Sequence, residues 1–218
     1  MRGLIILSVI GVCSMAYATP ILSSVDRVDA VPVGWGMGGD RTTTAIYSDL
    51  AYNTGYFQAA GAGVEVADDL HMLSAGTMVE FKFAYHDGGA GASTATVNFY
   101  ANNPSDFPLP GGSPPASLIA SYSLTGLPGP GEWIVTVPVS AQALPVDVWM
   151  GVIFPASDVG LLTYSPPTVG SSHDIYALYG QGYWFGGSPP ANFGLEVSTP
   201  EPGSLLLLAL TGLFLRRR

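Results

Sequence analysis

Cysteine is nearly missing from this chain: Cys13 is the only one in 218 residues. No internal disulfide can brace the fold, and no zinc site can be built on paired thiolates. Positive charge is almost as scarce. Between residues 19 and 199 only Arg27, Arg41 and Lys82 are basic, against 15 acids, a net charge near −12. That balance argues against nucleic acid as a partner, because phosphate binding needs clustered Lys and Arg. No apolar run approaches the ~20 residues of a stable membrane-spanning helix. Helical periodicity is confined to a single turn at Ser140 to Leu144.

What is present in abundance is β-strand patterning. In Met78 to His86 the residues Val79, Phe81, Phe83 and Tyr85 share one face, and Glu80, Lys82 and His86 share a second, wet one. Asp87-Gly88-Gly89 breaks this strand, and Thr94 to Tyr100 alternates again, so the two read as a hairpin. Further strands are expected at Leu118 to Leu124, Glu132 to Val139 and Val146 to Phe154. Short ones come after them at Gly160 to Tyr164, Ile175 to Tyr179, Tyr183 to Gly186 and Asn192 to Val197. Val146 to Phe154 is nearly all apolar, as suits a central strand covered on both faces. Eight or nine strands with frequent turn signals predict an all-β, antiparallel β-sandwich, jelly-roll-like in character. Trp133 and Trp149 are expected in its core.

The two ends have a different character. Met1-Arg2, an apolar stretch from Leu4 to Val12 and Ala16-Tyr17-Ala18 form a signal peptide over residues 1–18, with cleavage after Ala18 and export through the Sec machinery. The body is then residues 19–198. The tail, residues 199–218, reads Thr199-Pro200-Glu201-Pro202-Gly203-Ser204, then a largely apolar segment from Leu205 to Leu215, then Arg216-Arg217-Arg218. The apolar segment has 11 residues, about 17 Å as a helix against a hydrocarbon core of about 30 Å. A basic cluster behind it resists translocation. This suits a temporary transmembrane stop better than a permanent anchor.

This tail resembles the PEP-CTERM sorting signal of Gram-negative bacteria. The resemblance implies recognition by an exosortase, a membrane-embedded protease-like enzyme that cuts near Pro200, Glu201 and Pro202. It also implies release or attachment at the cell surface, often in company with exopolysaccharide and biofilm. It covers about twenty residues and says nothing of what the body does.

For the body, several patterns carry chemistry on paper. Gly34, Gly36 and Gly39 match a dinucleotide fingerprint, but the β-prone Asp40 to Thr44 stands where a helix is required, so a loop is the better reading. Ser172-His173-Asp174 has triad chemistry, yet three consecutive residues cannot converge on one point. Glu65, Asp68, Asp69 and His71 form the densest polar cluster. A structural Ca²⁺ held by such loop carboxylates is the one cofactor with any case, and a solvated turn is the plainer reading. Metal ligands cannot be assigned. Glu80, Glu132 and Asp147 are candidate acids for a jelly-roll glycoside hydrolase or lyase, but no spacing selects a pair.

Aromatics offer another route. Trp35, Tyr47, Tyr52, Tyr56 and Phe57 form one group, and Tyr176, Tyr179, Tyr183 and Trp184 another. Tyr179, Tyr183 and Trp184 lie in a Gly-rich stretch that would suit a ligand platform. The expectation is therefore a non-catalytic surface or matrix protein. A carbohydrate-binding module is the alternative, and an enzyme is not expected.

Overall fold

The computed structural model describes residues 21–25, 28–34, 43–89, 91, 93–101, 117–178, 181–186 and 191–201. Within them lie fifteen strands and no helix: β1 (Ile21–Val25), β2 (Asp29–Pro32), β3 (Thr43–Ser48), β4 (Asn53–Ala59), β5 (Glu65–His71), β6 (Gly76–Asp87), β7 (Thr94–Ala101) and β8 (Ser117–Thr125). They continue with β9 (Gly131–Leu144), β10 (Asp147–Ile153), β11 (Val159–Tyr164), β12 (Ile175–Leu178), β13 (Gln181–Trp184), β14 (Asn192–Phe193) and β15 (Leu195–Pro200). The expected signal peptide with Ala18, and Pro202 with the tail through Arg216, Arg217 and Arg218, lie outside the described residues, as do Trp35 and Tyr179. No helix long and apolar enough to cross a membrane occurs among the described residues.

The strands form two sheets. The first runs β1-β8-β7-β10-β5-β12-β13 and is antiparallel except for β1, which pairs in parallel with β8. The second has eight strands centred on β6. Along one edge β6 pairs with β9, which carries β2 outside it. Along its other edge β6 meets β11 at Tyr85 to Asp87 and β15 at Glu80 to Phe83. These two neighbours part company at Gly194, whose N–H donates to Leu162 while its carbonyl accepts from Ala84. Beyond them lie β4 on β11 and β3 on β15. The sheets stack as a β-sandwich around Phe81, Phe83 and Tyr85 on one side and Phe99, Tyr122 and Phe154 on the other, with ring centroids 5.3–6.3 Å apart. Such offset and edge-on packing is what aromatic quadrupoles favour.

Several sequence expectations hold. β6, β7, β8, β10 and β11 sit where the pattern placed them, and β10, flanked in its sheet by β5 and β7, is buried on both faces, with Val148, Met150 and Val152 inward and Trp149 outward. Others are corrected. β6 and β7 are not a hairpin: the turn after Asp87 carries the chain from one sheet to the other, because β7's ladder partners are β8 and β10. The single helical turn at Ser140 to Leu144 is the last part of β9, paired with Gly76 to Met78. Pro138, which has no N–H to donate, sits where the β6–β9 register shifts, the position a strand proline tolerates. The second face of β6 is wet only toward His86. Glu80 is buried, and Lys82 lies between Glu80 at 3.8 Å and Glu196. Trp149 is buried as expected, but on the outer face of the first sheet with Ala67, Ile175 and Ala177. Trp133 is half-buried against the main core.

Candidate functional site

The polar cluster Glu65, Asp68, Asp69 and His71 is neither turn nor loop. It is β5, and alternation along the strand splits it. Asp68 points between the sheets, fully buried, and accepts hydrogen bonds from the backbone N–H of Asp69 (2.9 Å) and Phe193 (2.8 Å). Burial pushes its carboxyl well above the usual range, and the neighbouring Asp69 adds to the shift. Glu65, Asp69 and His71 face outward. Glu65 lies over Gly151 and accepts from Asn98 Nδ2 (2.7 Å) and Tyr100 Oη (2.9 Å). Asp69 accepts from the backbone N–H of His173 and contacts its Nδ1 at 2.9 Å. That bond raises the His173 pKa. His71 contacts Asp147 across the β5–β10 ladder. No group of three His, Cys, Asp or Glu among the described residues converges as a metal site would require.

The remaining candidates are held apart from one another. Ser172-His173-Asp174 lies in the segment leading into β12, with His173 turned to Asp69 and Asp174 Oδ2 accepting from Gly186 N (3.2 Å). Of the Gly34 to Gly39 stretch only Gly34 is described, in a turn after β2 with φ +88°. Tyr47 is core. Tyr183 and Trp184 are adjacent on β13 and so point to opposite faces. Tyr183 stacks on Tyr176 (5.6 Å, 25°), whereas Trp184 pairs with Ile175 on the outer side and is half exposed. They do not make one flat platform.

A different group does converge. Phe57 on β4, His86 on β6, Glu132 on β9 and Asn53 at the start of β4 share the outer face of the second sheet. The Phe57 ring stacks on the His86 imidazole at 4.3 Å and 28°. His86 pairs in register with Glu132 on one side and Gly160 on the other. Gly160 brings no side chain, so the two rings meet across β11. Glu132 Oε2 accepts from Asn53 Nδ2 at 3.1 Å, and its Oε1 lies 4.0 Å from His86 Nδ1. Phe57 is 41% exposed, and Tyr52 and Tyr56 beside it are exposed more fully still. Phe57 and Glu132 lie far apart in the sequence, and only the pairing of β4, β11, β6 and β9 brings them together.

Comparison with family models, curated proteins and solved structures found no match. The chemistry of these groups is therefore read from their own geometry.

Proposed function

We propose that this chain is an exported, non-catalytic β-sandwich protein of the cell surface or extracellular matrix. Its Pro-Glu-Pro motif is cut by an exosortase-like enzyme, and its body associates with exopolysaccharide. The observation that carries this reading is the way the sandwich finishes. β15 is held on both edges, by β6 and by β3, and is buried from Leu195 through Ser198. Its last pair is Pro200 with Thr43, and Glu201 is exposed. The motif thus begins at the last rung of the sheet. A protease cleft that accepts an extended segment can take Glu201 without opening the fold, whereas a cut before Thr199 would first require unzipping a doubly paired strand. Proline at 200 and 202 also restricts the backbone to the extended shapes such a cleft accepts.

The surroundings of the candidate acids favour a non-enzymatic body. Glu80 lies 3.8 Å from Lys82, Asp147 contacts His71, and Glu132 accepts from Asn53 through Oε2 alone. Two open clefts of about 400 and 420 Å³ are lined by Thr, Ser and apolar side chains, with Tyr122 their one titratable group. Replacing Glu201 or Pro202 by Ala in the native host should leave the precursor uncut while its body keeps the wild-type melting temperature. Normal processing of both variants would sink the reading.

A further inference from the structure

We infer that Phe57, His86, Glu132 and Asn53 form a glycan subsite for pyranose rings that carry no acidic groups. The inference deepens the association with polysaccharide proposed above. One face of the Phe57 ring is covered by the His86 imidazole at 4.3 Å, so its 41% exposure belongs to the opposite face and rim. The negative face of an aromatic ring attracts the polarised C–H groups on the flat side of a pyranose. A ring held rigidly from behind loses little entropy on being covered. Beside it stand the polar groups that would take sugar hydroxyls. Glu132 Oε1 lies 4.0 Å from His86 Nδ1, and the Glu132 and His86 side chains remain 39% and 28% exposed. Asn53 fixes the Glu132 carboxylate through Oε2, while its own Oδ1 is occupied by Gly55 N at 2.8 Å. An exposed ring with a few placed polar groups beside it combines the apolar contact and the orienting polar groups that ligand sites use.

The sign of the ligand comes from charge. The site itself contributes a carboxylate, and the body's three basic residues stand against 15 acids. A uronate or sulfated polymer would be repelled, whereas a neutral or amino-sugar polymer would not.

The test is affinity electrophoresis of the full-length chain through gels containing a neutral glucan, a glucosamine polymer or a polyuronate. The neutral or amino-sugar gel is expected to retard the protein, and the polyuronate gel is not. Phe57→Ala and the near-isosteric Glu132→Gln should each weaken retardation about tenfold at unchanged melting temperature. Tyr183→Ala, on the other sheet, should retain it. Three results would overturn the subsite: no retardation by any polymer, retardation by the polyuronate alone, or full retardation of Phe57→Ala and Glu132→Gln. Because the test uses purified protein, failure here leaves the sorting reading standing, and failure of processing in the host leaves the subsite standing.

Discussion

Asp49→Asn is expected to raise the melting temperature at pH 8 by on the order of 10 °C and to change it little near pH 4. Asp49 lies just after β3, is 1% exposed, and neither carboxylate oxygen has a hydrogen-bond partner among the described residues. Burial without compensation disfavours the charged form and pushes its pKa up to about 8. The shift sets the direction of the pH effect. Below about pH 4 the carboxyl is protonated in both folded and unfolded chains, so it contributes no pH dependence. Between about 4 and 8 only the folded chain keeps the proton, so stability falls as pH rises, by ~1.4 kcal/mol per pH unit for each proton retained. Above about 8 the folded state carries a buried, uncompensated charge. Asp68 and Asp69, also buried, are shifted upward too, so the whole cluster acts in one direction. The wild-type protein should therefore be more stable at pH 5 than at pH 8, the reverse of a protein stabilised by ionised carboxylates. Thermal melts of wild type and Asp49→Asn across pH 4 to 9 check this. Parallel curves for the two proteins would show that Asp49 is not the group responsible.

Gly194→Ala is expected to cost about 2–3 kcal/mol, a drop of roughly 5–10 °C in a domain of this size. The reason is space rather than backbone freedom. A methyl group at 194 would lie 2.4 Å from Tyr164 Cε2, 2.5 Å from Cδ2 and 2.9 Å from Ala84 Cβ. All three atoms belong to fully buried side chains in the small apolar cluster of Ala84, Ile134, Leu162 and Tyr164. Gly194 sits where the second sheet forks, bonded to β11 on one side and β6 on the other, so neither backbone can yield without breaking a ladder. Tyr164→Leu removes the ring that the methyl strikes. The double variant should accordingly lose less than the sum of the two single losses. Full additivity of the two losses would show that the contact is not the cause.

The parts of the fold visible in the sequence were those where burial tracks alternation. β6 and β10 announce themselves because one face, or both, is apolar without interruption. β5 was missed for a physical reason. Asp68 and Asp69 are buried on opposite faces of the strand, so the acids that looked solvated broke the pattern that marks a strand. Ser140 to Leu144 misled in the opposite way, since small residues there fit a helical turn as well as the end of β9. Sheet membership was not legible at all. The Gly-rich turn after Asp87 reads the same whether it closes a hairpin or crosses between sheets. The Phe57 site was hidden for the same reason. Its members come from three strands, and only the pairing of β4 through β11 to β6 and β9 brings ring, imidazole and carboxylate together. Tyr183 and Trp184 are neighbours in sequence, and alternation along β13 puts them on opposite faces.

The proposed processing makes the sandwich the mature product, bounded by cleavage near Ala18 and at the Pro-Glu-Pro motif. Intact-mass analysis of the protein recovered from its native host's envelope and medium tests it most directly. The expected mass starts at Thr19 and stops between Pro200 and Pro202, leaving β15 whole. A mass that retains Leu205 to Arg218 would make the tail a plain anchor, and one that stops before Thr199 would place the cut inside the sheet. Either result would rule out the proposed processing.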